Sequence, residues 1–422
     1  MQLNDRPEGM LGELIALEGV RDAMSLIHGP TGCKYYPASC SESQFKTRNV
    51  DGARTFDPFL YNGEFFFCQP RVPCTYLDGR DYIMGTGDKL ERLLSVIEST
   101  RPGMIGIINS PGASLIGEEL SSLDSEIPLI RMEMPGYSRP IGDGFQDALL
   151  KILKTFRHVS DSKKETVNLI GISIWHLNWE DSVDDLVGLL ALCDIGINVV
   201  IGAGWTTEEI SHVSDASVNL VINPEYCENV VKWMESEYGI PYIVPDHNGL
   251  MSFDGLENWI VSVCAFLGKS PDAALDAVKA KRKRSAQILS GLDRMRLLPR
   301  GHTFSVSADA GIVDSVVRFL YEYLGMIPVA VEIDGNPRYS DIDEYLEEKN
   351  IQVSRDVFNT PAEILISNAN LISSMKSRDM ISEGVEVSRP TGKIASVAKE
   401  PVIGLYGTVR LLDSVLNALR PY

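Results

Sequence analysis

The sequence contains no apolar run of the ~18 residues that a membrane-spanning helix needs, and it is short of positive charge. Its 39 Lys and Arg are outnumbered by 58 Asp and Glu, giving a net charge of −19. That balance argues against nucleic acid and anionic membranes as partners and keeps a large protein soluble. There is no Gly-x-x-x-x-Gly-Lys-Ser/Thr, so ATP binding through a P-loop is not expected. No Gly-x-Gly-x-x-Gly follows a first predicted strand, so a nicotinamide cofactor is not indicated. Gly202-Ala203-Gly204 follows a predicted strand, but a bare Gly-x-Gly is common in α/β loops. Gly-x-Ser-x-Gly is missing, leaving a hydrolase nucleophile elbow unsupported. The six histidines are scattered, and none falls in a His-Glu-x-x-His zinc pattern. Residues Met1 to Glu8 carry no signal-peptide pattern, so the expected location is cytoplasmic, where disulfides are rare.

Cysteine is scarce but unevenly placed. Of seven, four (Cys33, Cys40, Cys68 and Cys74) fall in the first 74 residues. Cys33 ends the run His28-Gly29-Pro30-Thr31-Gly32-Cys33, which follows an apolar stretch from Ala23 to Ile27 that reads as a helix end or a buried segment. Gly-Pro and then Gly force a tight turn. A thiol there can be a buried, inert side chain of a Gly/Pro loop, or a thiolate stabilised by backbone N–H groups and able to bind metal. Clustered cysteines in a reducing compartment favour metal ligands or redox groups. Iron–sulfur clusters prefer thiolates, and their ligands can come from two chains.

The length allows two to three domains. Gly9 to Asp22 is predicted helical, and Asn62-Gly63 before Glu64-Phe65-Phe66-Phe67-Cys68 predicts a hairpin arm within residues 49–73. Asp81 to Gly85 reads as a short strand, and Asp88 as the cap of a helix Lys89 to Ser99 with Leu90, Leu93, Leu94 and Ile97 on one face. Strands are predicted at Met104–Ile108, Ile127–Met132, Val167–Ile174, Asn198–Ala203, Leu220–Ile222 and Tyr242–Val244. Further strands are predicted at Thr303–Ser307, Val329–Ile333, Ile364–Ser367 and Val402–Gly404, with helices between. That alternation means parallel βαβ units. The expected architecture is α/β: three doubly wound Rossmann-like domains with parallel sheets, spanning residues 1–160, 161–295 and 296–422. Ligand crevices belong at the carboxyl ends of their strands. The run Lys279-Ala280-Lys281-Arg282-Lys283-Arg284 reads as a solvated face of a long helix.

Several segments, in order, resemble the nitrogenase component 1 family. His28 to Cys33 resembles its cluster-binding turn. Asp81-Tyr82-Ile83-Met84-Gly85, Ser110-Pro111-Gly112-Ala113-Ser114-Leu115-Ile116-Gly117, Met134-Pro135-Gly136-Tyr137-Ser138, Tyr238-Gly239-Ile240-Pro241 and Leu405-Tyr406-Gly407-Thr408 resemble further family segments. The resemblance covers nearly the whole chain and implies that family's three-domain fold. It also implies an iron–sulfur cluster, 4Fe–4S or P-cluster-like, shared across a subunit interface. Its ligands would come from Cys33 with some of Cys40, Cys68 and Cys74, and from Glu8 at the upstream ligand position. The departures matter as much. The third ligand position falls on Pro111, which has no ligating side chain. Asn223 stands where a catalytic subunit would place the thiolate anchoring its large cofactor, and no histidine lies near Tyr406 as a second anchor. The resemblance therefore implies a non-cofactor (β-type) subunit of a nitrogenase-like reductase. Its implied partners are a paralogous α-type subunit or a second copy of itself, and a separate ATPase iron protein dimer. Two other readings stand beside it: a scaffold for assembly of a complex iron–sulfur cofactor, and an α/β binding protein whose cysteines are structural.

Overall fold

The computed structural model describes residues 8–30, 72–117, 120–133, 139–160, 163–295, 297–393 and 396–419. Cys33, Cys40 and Cys68, the predicted hairpin arm and the Met134–Ser138 segment lie outside them.

Three parallel sheets follow one another along the chain. The first holds β1 (Ala23–His28), β2 (Met104–Asn109) and β3 (Leu129–Met132), hydrogen-bonded in that order. Its first two strands, Ala-Met-Ser-Leu-Ile-His and Met-Ile-Gly-Ile-Ile-Asn, are buried at every position. That is the pattern of a parallel strand covered on both faces. The apolar stretch at Ala23 is thus a strand, not a helix end. The second sheet contains β4 (Thr166–Ile170), β5 (Gly196–Ile201), β6 (Val218–Val221) and β7 (Tyr242–Ile243), in the order β5-β4-β6-β7. The third contains β8 (Thr303–Ala308), β9 (Ile327–Ile333), β10 (Ile364–Ser367) and β11 (Glu383–Glu386), in the order β9-β8-β10-β11. In both four-stranded sheets the unit's second strand lies outside its first, and the third and fourth lie on the other side. Winding therefore reverses between β4 and β6 and between β8 and β10. An asparagine ladder, buried at Asn168 and Asn219, ties the second sheet crosswise. Asn198 Nδ2 donates to Asn168 Oδ1 and Asn168 Nδ2 to Asn219 Oδ1, each at 2.9 Å.

Among the helices, α1 (Gly9–Glu18) packs along α5 (Ile141–Thr155). The approach is close because glycines face it. A Cβ on Gly12 would stand 2.0 Å from the Ile141 carbonyl oxygen, and one on Gly144 would stand 1.9 Å from that of Gly9. The helix α3 (Lys89–Ser99) buries Leu90, Leu93, Leu94 and Ile97 as its periodicity predicts, but Asp88 makes no cap bond. Its carboxylate pairs with Arg92 instead. Between these, α2 (Asp81–Met84) replaces the predicted strand. Asp78 Oδ1 accepts from the N–H groups of Arg80 and Asp81, at 2.8 and 3.1 Å, and this capping outweighs the β-forming composition. The short helix α4 is Pro111–Ile116. The long helix α10 (Asp272–Arg294) carries the basic run, with Lys279, Lys283 and Arg284 exposed as expected. Lys281 lies over the Tyr406 ring, and Arg282 pairs with Asp254 and Glu257.

Val402–Gly404 is a bend rather than a strand, and the fourth strand of its sheet is β11. The bend leaves the third sheet altogether. Val402 N–H donates to Ser182 Oγ at 3.0 Å, on α6 (Trp179–Ala191), and the closing helix α14 (Leu405–Ala418) packs on the same helix. We propose the divisions near residues 160 and 295 as divisions of the chain, since packing crosses the second.

Candidate functional site

β1 ends at His28, and the turn that begins there is held from two sides. The segment after Val72 runs parallel to it. Ile27 N–H donates to the Pro73 carbonyl at 3.0 Å, Thr75 N–H to that of Ile27 at 3.2 Å, and Leu77 N–H to that of Gly29 at 3.0 Å. Thr75 Oγ1 accepts from Gly29 N–H and lies 3.0 Å from His28 Nδ1. On the other side, Ser110 N–H donates to the His28 carbonyl at 2.8 Å. Gly29 is required there, because a Cβ would sit 2.3 Å from Ser110 Oγ.

This pairing brings Cys74 to the turn. The residue is buried, its thiol donates to the Gly29 carbonyl at 3.1 Å, and the Pro30 carbonyl lies 3.8 Å away. Tyr76 N–H donates to the same sulfur at 3.5 Å. Burial, and then the neighbouring Cys74, push the Tyr76 phenol up to about 12. The other described cysteines are core thiols. Cys227 donates to the Asn223 carbonyl at 3.3 Å, and burial raises its pKa. Burial, with contact to Cys193, pushes Cys264 up to about 12.

Glu8 precedes α1, is exposed, and pairs through its backbone with Pro140 at the start of α5. A helix that feeds a strand of its own sheet runs back along it, so α1 begins at the carboxyl edge where β1 ends. Pro111 is the first residue of α4, behind the N-cap Ser110, which accepts from Ala113 N–H at 3.3 Å. Its place is that of a helix-starting proline, with nothing to offer a metal. Glu13, one turn along α1, is fully buried and neither carboxyl oxygen has a hydrogen-bond partner among the described residues. Burial pushes it up to about 8 against the pull of Arg139, 3.7 Å away.

The family description "nitrogenase component 1 type oxidoreductase" matches residues 9–420. The chain belongs to this family. Within it, two curated relatives are B subunits of light-independent protochlorophyllide reductase. That of Roseobacter denitrificans is 29% identical over 180 residues, 41% of this chain and 35% of that protein. That of Synechococcus sp. (strain CC9311) is 22% identical over 235 residues, 51% of this chain and 44% of that protein. These alignments span between a third and a half of the relatives' lengths. The solved structure called "Nitrogenase Cp1 at pH 6.5" superposes with a TM-score of 0.75 at 17% identity, covering 97% of this chain and 91% of that one. "Nitrogenase Cp1 at pH 5" gives 0.69 at 15% identity, covering 98% and 88%. At these identities the likeness is one of fold, and it extends over nearly the whole chain.

In this nitrogenase component 1 type chain a second polar region went unread in the sequence. A cleft of about 1120 Å³ lies between the carboxyl edges of the second and third sheets, lined among others by His176, Asp309, Asp334 and Asn368. Glu225 sits behind it, fully buried, with Oε2 accepting from Ala310 N–H at 3.2 Å and Oε1 from Asn336 N–H at 2.7 Å. Its carbonyl accepts from Gln146 Nε2 of α5 at 2.9 Å, so one residue joins all three sheets' layers. Burial, and then Asp309, push Glu225 up to about 8. Asn223, the position noted for its missing thiolate, accepts from Glu225 N–H at 3.1 Å and caps a short turn. No motif marks His176. The available signal was topological: it follows the first strand of a reversing sheet. Among the described residues, no helix is long and apolar enough to cross a membrane.

Proposed function

We propose that this chain is the non-cofactor (β-type) subunit of a nitrogenase-like ATP-dependent reductase, holding or sharing an iron–sulfur relay cluster. A separate ATPase iron protein would supply electrons, and the partner subunit would carry the substrate site. The observation that carries this reading is Cys74. Its sulfur is buried against Gly29 and Pro30, at the start of the turn that leads to Cys33, in a chain of the nitrogenase component 1 type family. The two relatives are B subunits of a reductase by name, which supports the β-type assignment.

The residues suit such a group. A soft thiol in a dry pocket, with a backbone N–H on its sulfur, is a ligand setting for iron rather than for a hard cation. When bound, an iron–sulfur cluster supplies one-electron storage. The chain's own part is to fix ligand geometry through the Thr75–Gly29 and Ser110–His28 bonds and to exclude water with Val72 and Leu77, both buried. Cys33, Cys68 and Cys74 are the proposed metal ligands, with Cys40 and Glu8 as further candidates. One chain's thiols are few, so the remaining ligands would come from an α-type subunit or a second copy across an interface burying more than ~2,000 Å². The working compartment would be the cytoplasm.

The scaffold reading has less support. A scaffold must hold a large cofactor in a cavity through soft ligands, and no cysteine lines the cleft among the described residues. The test is anaerobic purification of the full complex, with iron and sulfide analysis and sedimentation. The proposal expects iron in an oligomer that loses it when Cys33 or Cys74 is replaced by alanine. A wild-type chain purified with its partner and free of iron would overturn it.

A further inference from the structure

Two cavities meet at His176. The 1120 Å³ cleft is lined by residues at the ends of β8, β9 and β10 and by the loop after β4. A smaller cavity of about 150 Å³ lies at the end of β6, and the two share His176, Ile312 and Ile403. Both therefore open at the two points where the winding of the sheets reverses, the position at which open α/β sheets bind ligands.

His176 is built to offer one hydrogen atom there. Ser173 N–H, which can only donate, points at Nδ1 from 3.0 Å, so Nδ1 is the acceptor. Burial pushes the imidazole down to about 4, so the ring is neutral and its proton is on Nε2. The Tyr226 ring packs edge-on, 4.6 Å between centroids, and fixes the imidazole plane. Nε2 has no hydrogen-bond partner, and the residue is only 7% exposed. A buried donor left without an acceptor is destabilising, and this one sits on the wall of a cavity large enough to bring one. Asp309 Oδ2 lies 3.7 Å from Nε2, beyond hydrogen-bond reach, while Asp309 Oδ1 accepts from Tyr226 O–H at 3.3 Å. A donor and a carboxylate oxygen thus stand side by side. Around them the charged lining is one-sided: Asp309, Glu332, Asp334 and Asp356 against Arg389. Trp175, Leu177, Phe358 and Leu371 add flat or apolar wall. The absence of cysteine from both described linings leaves a metal–sulfide group without soft ligands.

We propose that this cleft binds a neutral nitrogen heterocycle with a lactam edge, a ring carbonyl next to a ring N–H, as in guanine and the pterins. The carbonyl oxygen accepts from His176 Nε2–H, and the ring N–H donates to Asp309 Oδ2. An amino group beside that N–H adds a second donor toward a lining rich in carboxylates. Apolar walls with a few placed polar groups are the general form of such sites. The proposal is separate from the relay cluster, since it uses neither Cys74 nor the first sheet.

The test is isothermal titration of the purified full chain with guanosine, with pterin, and with 1-methylguanosine, which lacks the ring N–H that faces Asp309. Guanosine should bind at least about tenfold more tightly than 1-methylguanosine, as loss of a buried hydrogen bond that leaves its acceptor unpaired predicts. Guanosine alone binding assigns a nucleobase ligand, and pterin alone assigns a pterin. His176→Phe keeps a ring against Tyr226 and should weaken lactam binding by at least about tenfold. Asp309→Asn keeps one acceptor oxygen where the carboxylate offers two, one to Tyr226 O–H and one to the ring N–H, so it should weaken guanosine by at least about tenfold. If His176→Phe fails to fold, the loss of guanosine binding in folded Asp309→Asn decides alone. No heat from guanosine or pterin, 1-methylguanosine binding as well as guanosine, or Asp309→Asn binding like wild type would overturn the proposal.

Discussion

At the carboxyl edge of the first sheet the group that faces the turn is a sulfur, Cys74 Sγ, set among backbone carbonyls and one N–H. At the carboxyl edges of the second and third sheets the facing groups are an imidazole N–H and carboxylates, His176 and Asp309. Both regions come from the same construction: parallel strands ending together, with tight turns between them and helix starts. What differs is the hardness of the donor atoms. Soft donors suit iron and sulfide, whereas nitrogen and oxygen donors suit an organic molecule read by hydrogen bonds. A chain can thus keep the fold of its family while dividing its chemistry between edges, and Asn223 shows how. At that position the side chain caps the Glu225 turn and serves packing rather than anchorage.

The comparison breaks if damage at one edge reaches the other. Glu225→Ala should have the largest effect on stability. It leaves the buried N–H of Ala310 without its acceptor, at about 1–3 kcal/mol, and removes the acceptor of the half-buried N–H of Asn336. Thermal unfolding should fall by several degrees, while iron per folded chain stays at the wild-type level. Loss of iron in step with stability would show that the two edges are one unit.

The next effect is on pH dependence. Glu13 in the first unit and Glu225 behind the cleft are both raised from 4.5 to about 8 by burial. A carboxyl whose folded pKa lies above its unfolded value favours folding most when protonated. That stability is complete below about pH 4.5, falls as pH rises, and is lost through about pH 8. Denaturant unfolding across this window should show a decline of a few kcal/mol. Glu13→Gln should flatten part of it without touching heterocycle binding at the cleft. An unchanged slope in Glu13→Gln would assign the decline to other groups.

Gly12→Ala sharpens the comparison from the packing side. Its Cβ would meet the Ile141 carbonyl oxygen at 2.0 Å, so α1 must shift against α5 at about 1–3 kcal/mol. Because α1 begins at the edge where β1 ends, iron retention should fall with it, and titration at the cleft should not. The smallest effect belongs to the basic run. Lys279→Ser with Lys283→Ser, both on the solvated face of α10, should move stability by less than about 0.5 kcal/mol.

Much of the fold was legible because burial on both faces writes itself as continuous apolar runs, as in β2, and because helix periodicity is robust, as in α3. The misreadings have local causes. Asp81 to Met84 has the composition of a strand, yet Asp78 caps it into a helix whose Ile83 and Met84 point outward, 82% and 75% exposed. Glu-Gly-Val-Glu of β11 holds one buried residue, too few for a pattern, so the apolar Val402–Gly404 was read in its place. At the first edge the motif His28 to Cys33 marked the point where β1 ends. Nothing in the spacing said that Cys74 pairs with that strand. The cleft was illegible because its residues come from separate strand ends, and only topology assembles them.

The account's central claim is that the soft edge holds iron through Cys74 and Cys33. The direct measurement is iron per chain, with the EPR spectrum of the reduced complex, in anaerobically purified Cys74→Ala, Cys33→Ala and Cys264→Ala. Cys264 is the control, a buried thiol in the second unit. The account predicts that the first two variants lose iron and signal while remaining folded, and that Cys264→Ala keeps both. Wild-type iron and an unchanged spectrum in Cys74→Ala and Cys33→Ala would contradict it.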